Sequence, residues 1–271
     1  MWDLGFMVWR IGEILDFDAQ VAWVAEAGFE AVSFHASAGT AGQWVGVDPA
    51  LTSREKRRRI RNLVAGFSMC EIHAPFACEL ARDTPPEVMA KLDEVLIFAG
   101  DVGASAVTVH ADPPEPACDE TAPAWHETLD RLDTTAEKAG VRIGIEFMTG
   151  FEWLKCPRRA QIGATLDVGH MYLNEGAGYR PYGTAGGLAR WLGDALVHVH
   201  IHDYDGTHDH IETGTGRIDF DDMLRGLTDA GYTGALCLEL NPQRVTPEGI
   251  RRSAAFLRQR MKELATRGRI A

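Results

Sequence analysis

The feature that most constrains this chain is an alternation repeated eight times: a short apolar, β-rich run followed by a longer amphipathic one. Strand candidates occupy residues 4–8, 31–35, 69–73, 106–110, 142–146, 164–167, 197–202 and 235–239. Most are continuously apolar, the pattern of parallel strands covered on both faces. Helix candidates at 17–27, 54–65, 86–99, 124–139, 186–192, 220–230 and 247–265 lie between them. Most start after Asp, Thr or Pro and stop at Gly, the expected helix punctuation. Eight strand–helix units in 271 residues imply an α/β fold: a single (β/α)₈ TIM barrel spanning residues 1–271. A doubly wound open sheet is the alternative, but no Gly-x-Gly-x-x-Gly follows the first strand. Only about 20 residues separate strands five and six, so the fifth helix is expected to be shortened or missing.

The second constraint is what stands at the strand ends. From strand two to strand eight the last polar residues are His35, His73, His110, Glu146, Asp167, His200 and Glu239. All are metal-ligand types, and in a barrel all strand C-termini open on one face. Each histidine alone would more often be a satisfied core residue, and His35 serves equally well as a strand cap. The carboxylates differ. Glu146 in IGIEFM, Asp167 in ATLDVGH and Glu239 in LCLELN end apolar strands, where an unpaired buried carboxylate is too costly without a cation or donor.

The stretch VHVHIHDYDGTHDH (197–210) carries five of the ten histidines. His198, His200 and His202 share one strand face, because side chains repeat every two residues. His200 sits at ligand depth, His198 in an interior layer and His202 at the rim. His208 and His210 follow in the loop and can fold back over the mouth; a solvated loop is the plainer reading of His208. Mixed imidazole and carboxylate donors without thiolate suit a divalent metal ion: Zn, Mn, Co or Mg.

Composition narrows the partners. A net charge of −12 disfavours nucleic acid. The basic clusters, residues 54–61 and 251–269, fall on outer helices, whereas the mouth loops carry Asp112, Glu115, Asp119, Glu120, Asp203, Asp205 and Asp209. No apolar run is long enough to span a membrane and no signal peptide is evident. Five widely spaced cysteines without C-x-x-C argue against a disulfide framework and fit a reducing cytoplasm.

IGIEF, TLDVGH, HVHIHD, the GTGRIDF run and LELN, in this order, make the chain resemble the xylose-isomerase-like TIM-barrel superfamily over essentially its whole length. That superfamily includes sugar phosphate isomerases and epimerases, ketose 3-epimerases and endonuclease IV-type AP endonucleases. The resemblance implies one metal on Glu146, Asp167, His200 and Glu239, with both glutamates acting as acid and base and His170 contacting substrate or metal. In the endonuclease branch it implies three zinc ions on a larger set that adds His73, His110, His170 and His210. There His208 stands where that branch has an aspartate, a departure that puts the third site in doubt.

Two activities follow. The first is a metal-dependent isomerase or epimerase of a sugar or sugar phosphate, abstracting a proton beside a metal-chelated carbonyl. Trp9 and Trp44 are its candidate sugar-stacking groups, equally readable as loop packing, and residues 36–49 a candidate lid. The alternative is a zinc phosphodiesterase, which requires a basic crescent at the mouth; the acidic loops favour the isomerase. A barrel that binds metal or sugar without turnover is a third reading. The expected partner is a small sugar or polyol, with a homo-oligomer as the default assembly.

Overall fold

In the computed structural model, residues 1–14, 16–39, 45–115, 118 and 122–267 are described. Eight parallel strands follow one another around a closed barrel: β1 (Leu4–Val8), β2 (Ala31–His35), β3 (Met69–His73), β4 (Ala106–Asp112), β5 (Arg142–Phe147), β6 (Ile162–Asp167), β7 (Leu196–Ile201) and β8 (Leu236–Leu238). Leu4 pairs with Leu236 to close the ring. A two-residue strand, Leu80–Ala81, lies against the outer end of β4. β1, β2, β6, β7 and β8 are buried along their whole length, which is why they read as unbroken apolar runs.

The outer layer contains α1 (Phe17–Glu26), α2 (Arg54–Val64), α3 (Pro86–Val102), α4 (Pro123–Ala139), α5 (Ala185–Leu192), α6 (Phe220–Asp229) and α7 (Pro247–Arg267). Asp16, Ser53, Thr184 and Asp219 each cap a helix by accepting a hydrogen bond from a first-turn N–H. The expected stop of α3 at Gly100 is wrong by three residues. Gly103 terminates it in the left-handed conformation (φ 77°). Gly100 is instead a contact glycine: a Cβ there would lie 2.5 Å from the Ala139 carbonyl oxygen of α4. Between β5 and β6 the chain forms the 3₁₀ turn Phe151–Lys155.

The expectation against disulfides also needs correction. Cys118, in the loop before α4, is bonded to Cys156, in the loop before β6. Their separation of 38 residues hides the pairing from the sequence, because the adjacency of β4 and β5 brings both loops together. Cys70, Cys78 and Cys237 are free and buried. No helix among the described residues is long and apolar enough to cross a membrane.

Candidate metal centre

Strand register sets the polar residues at one height. His35 is the lateral partner of His73, His110 of Glu146, and Asp167 of His200. Glu239 directly follows β8, and its N–H donates to the Ile201 carbonyl at 3.0 Å, extending the ladder. The strands from β2 to β8 therefore each deliver a polar side chain from their C-terminal end to the same mouth.

The four residues of the expected metal set come together. His200 Nδ1 lies 3.0 Å from Glu239 Oε2 and 3.5 Å from Glu146 Oε2. Asp167, His200 and Glu239 offer donor atoms within 4.8 Å of one another, as do His73, Glu146 and His200, and Glu146, Asp167 and His170. His110 Nε2 approaches Glu146 Oε2 to 3.4 Å and His73 Nε2 to 3.8 Å. The His73 Nδ1–H donates to the Ala74 carbonyl at 2.7 Å, so Nε2 is the nitrogen turned toward Glu146 and the centre. His170 donates from Nδ1 to Glu146 Oε1 at 2.7 Å, and its Nε2 stands 3.2 Å from His210 Nε2.

His208 is not part of this group. It is half-exposed and contacts Asp205, whose carboxylate also accepts the His208 N–H at 2.8 Å, so a local turn holds it away. His202, expected at the rim, is fully buried. Its Nδ1 accepts the His210 N–H at 2.8 Å, so its proton sits on Nε2 and is donated to Asp167 at 2.9 Å. His35 packs on His73 with the rings tilted and their centroids 4.6 Å apart. Trp9 packs edge-on against His35 and tilted over His210, lining the wall of the mouth. Trp44 and residues 40–43 of the candidate lid lie outside the described residues.

Two groups escaped the sequence reading. Phe76 sits within 5.5 Å of the rings of His35, His73 and His110 and is 46% exposed, an apolar platform beside the donors. Glu71 is wholly buried one layer below, with Oε2 3.9 Å from His200 Nε2 and 4.0 Å from His198 Nε2. It precedes His73 by two, so strand alternation, applied to β3 as to β7, would have found it.

The protonation pattern is that of carboxylates neutralised by imidazolium. Burial would raise Glu146 and Glu239, but the neighbouring histidines outweigh it and hold both well below the usual carboxylate range. Burial would lower His170, but Asp167 and Glu146 push it up to about 10. The same contest leaves His200 well above its ordinary value. Where carboxylates are fewer, burial wins and lowers His35 to about 3 and His198 to about 4. Burial would likewise raise Glu71, but His200 and His198 bring it down to about 2. Buried and without a hydrogen-bond partner are Glu146 Oε2, His73 Nε2 and both nitrogens of His200. Orphaned donors of this kind on three different strands fit a divalent cation.

The loop after β7 is organised by Asp203. Its carboxylate accepts the N–H groups of Gly214 and Gly216 at 2.8 and 2.9 Å, and also those of Tyr204 and Ile218. A Cβ at Gly216 would lie 2.4 Å from Asp203 Oδ1, which explains the Gly-x-Gly spacing.

A closed parallel barrel whose strand ends converge three carboxylates and several imidazoles defines the class. The chain belongs to the xylose isomerase-like TIM barrel family, whose model matches residues 21–260. An uncharacterized protein of Methanocaldococcus jannaschii is 30% identical over 131 residues, 41% of this chain and 41% of that protein. A second from the same organism is 29% identical over 112 residues, 37% of this chain and 40% of the other. The match thus spans about two fifths of the length of these curated relatives. Among solved structures, a D-tagatose 3-epimerase-like protein superposes with a TM-score of 0.72 at 22% identity, covering 98% of this chain and 99% of that one. An L-ribulose 3-epimerase gives 0.73 at 19%, covering 100% and 98%. A xylose isomerase domain protein from Planctomyces limnophilus also gives 0.73 at 19%, covering 98% of each chain. These likenesses establish the fold.

Proposed function

We propose that the protein is a metal-dependent isomerase or epimerase acting on a small sugar or sugar phosphate. The observation that carries this reading is the placement of Glu146 and Glu239, from non-adjacent strands, against the same nitrogen of His200. Glu146, Asp167, His200 and Glu239 would hold a single divalent ion, Zn, Mn, Co or Mg. When bound, the ion acts as a Lewis acid that stabilises negative charge on a chelated substrate oxygen. Glu146 and Glu239 hold and move the proton, one removing it from the carbon beside the carbonyl and the other returning it. His170 positions Glu146 through its Nδ1–H, and its Nε2 meets His210. Trp9 and Phe76 give the apolar face of a sugar a surface to lie on.

A zinc phosphodiesterase is the second reading, favoured by His73 and His110 beside Glu146, which extend the donor set beyond four. Against it, the arginines of α2 lie on an outer helix, where Arg57 and Arg59 pair with Asp101 and Asp18. Incubation of the metal-loaded enzyme with ketoses in deuterium oxide tests the first reading. Deuterium should enter substrate carbon with wild type and not with Glu239→Gln; exchange undiminished in the variant rejects the proton-transfer role. Cleavage of an abasic-site duplex without exchange into any sugar would favour the second reading.

A further inference from the structure

His200 has two faces. Its Nδ1 looks up at Glu239 and Glu146; its Nε2 looks down at Glu71, inside the barrel. Glu71 and His198 are buried, and neither Glu71 oxygen has a hydrogen-bond partner at direct distance. No lysine or arginine among the described residues forms an ion pair with Glu71; the imidazoles of His198 and His200 lie against its carboxylate, and His73 on its own strand adds a third. A carboxylate in such a place is costly unless it hydrogen-bonds, so its presence behind a candidate ligand needs an explanation.

We infer that Glu71 is a positioning residue for His200. Its carboxylate, with Oε2 3.9 Å from Nε2, is the acceptor that faces the His200 Nε2–H. The Nδ1 lone pair is then presented to a divalent ion among Glu146, Asp167 and Glu239. The inference rests on the metal-centre reading above. Its logic is that of imidazole chemistry: one ring nitrogen can bind a metal only when the proton is on the other, and a carboxylate behind the ring both selects that tautomer and fixes its orientation. His198, from the same strand face, is the second imidazole against Glu71 Oε2 and completes the layer that holds it. A second cation seated between Glu71, His198 and Nε2, with Nδ1 already on an ion at the mouth, would instead require His200 to surrender both ring protons.

The test is an equilibrium titration of the chelator-stripped full chain with Zn²⁺ against a competing chelator, for wild type, Glu71→Gln, Glu71→Leu and Glu239→Gln. Apo-protein melting curves and nitrogen-15 imidazole spectra of the zinc-loaded forms accompany it. Glu71→Gln, which keeps an acceptor but no charge, should bind Zn²⁺ about 10-fold more weakly, and Glu71→Leu, which keeps neither, up to about 100-fold. Both should leave apo melting within a few degrees of wild type and shift the His200 Nε2–H signal. Should Glu71→Gln fail to fold, the Leu variant supplies the comparison, since it removes the buried charge altogether. Equal affinity across wild type and both Glu71 variants overturns the inference alone. Loss of one of two bound ions in the Glu71 variants also overturns it, in favour of an interior cation site. No Zn²⁺ binding by wild type, or binding unaffected by Glu239→Gln, overturns the metal-centre reading and this inference together.

Discussion

His202 donates its Nε2 proton to Asp167 across 2.9 Å while the His210 N–H holds its Nδ1 at 2.8 Å, so one backbone amide, acting through a single imidazole, fixes the orientation of a candidate metal ligand on the neighbouring strand. A carboxylate anchored in this way presents one chosen oxygen lone pair to an ion and does not swing. His202→Ala should therefore lower divalent-metal affinity about 10- to 100-fold. Titration of the stripped protein by calorimetry reads this directly, and unchanged affinity would reject the anchoring role.

The charges of the centre make the apo protein's stability depend on pH in a definite direction. His170 is raised from its ordinary value to about 10 by Asp167 and Glu146, against the opposing effect of burial. A raised group stabilises fully below its unfolded value, near 6.5, and the contribution fades as pH climbs toward 10. Glu146, Asp167 and Glu239 are lowered, so theirs is present above about pH 4 and fades as pH falls. The lowered His35 and His198 stay uncharged in the fold and cost stability as pH falls below about 6.5, so melting of the metal-free protein should be highest near pH 6.5 and decline both toward pH 4 and toward pH 9.5. Saturating metal should flatten the alkaline decline, because the cation replaces the imidazolium proton as the countercharge. A flat apo profile from pH 6 to 9.5 would mean that His170 is not held as a cation.

Asp203 tests the scaffold rather than the chemistry. It is buried, and four backbone N–H groups converge on its carboxylate. Asp203→Ala strands those donors and should cost on the order of 3 kcal/mol. For a chain of this size that is a fall of roughly 6–12 °C in Tm. Calorimetry in the presence and absence of metal checks it; a loss under about 1 kcal/mol would contradict the structural role.

The legibility of the molecule follows from how local each determinant is. The barrel was readable because doubly covered strands leave continuous apolar runs and their helices carry local caps such as Asp16 and Asp219. Glu146, Asp167, His200 and Glu239 were readable because a carboxylate or imidazole ending an apolar strand is anomalous by itself. What was hidden depends on contacts between distant segments. The Cys118–Cys156 pair requires the adjacency of two loops, and the interior role of Gly100 requires the approach of α4. The placement of His202 depends on the left-handed conformation of His210 (φ 47°), which nothing in THDH announces. Glu71 is hidden because it stands two positions before the last polar residue of its strand, one layer inside the mouth.

Phe76 bears on substrate recognition. Its ring lies over three histidines and nearly half of it faces solvent, unusual for a large apolar side chain at the mouth of a polar site. An aromatic face there can cover the C–H side of a sugar while the hydroxyls turn toward the carboxylates. The contact is the same in ground and transition states, so its removal should weaken binding without slowing chemistry. Phe76→Ala should raise KM about 10-fold with kcat changed less than about 3-fold. Initial-rate kinetics on whichever sugar exchanges deuterium will separate the two constants. A drop in kcat with KM unchanged would place Phe76 in the ordering of the reacting groups instead, through its packing on His73 and His110.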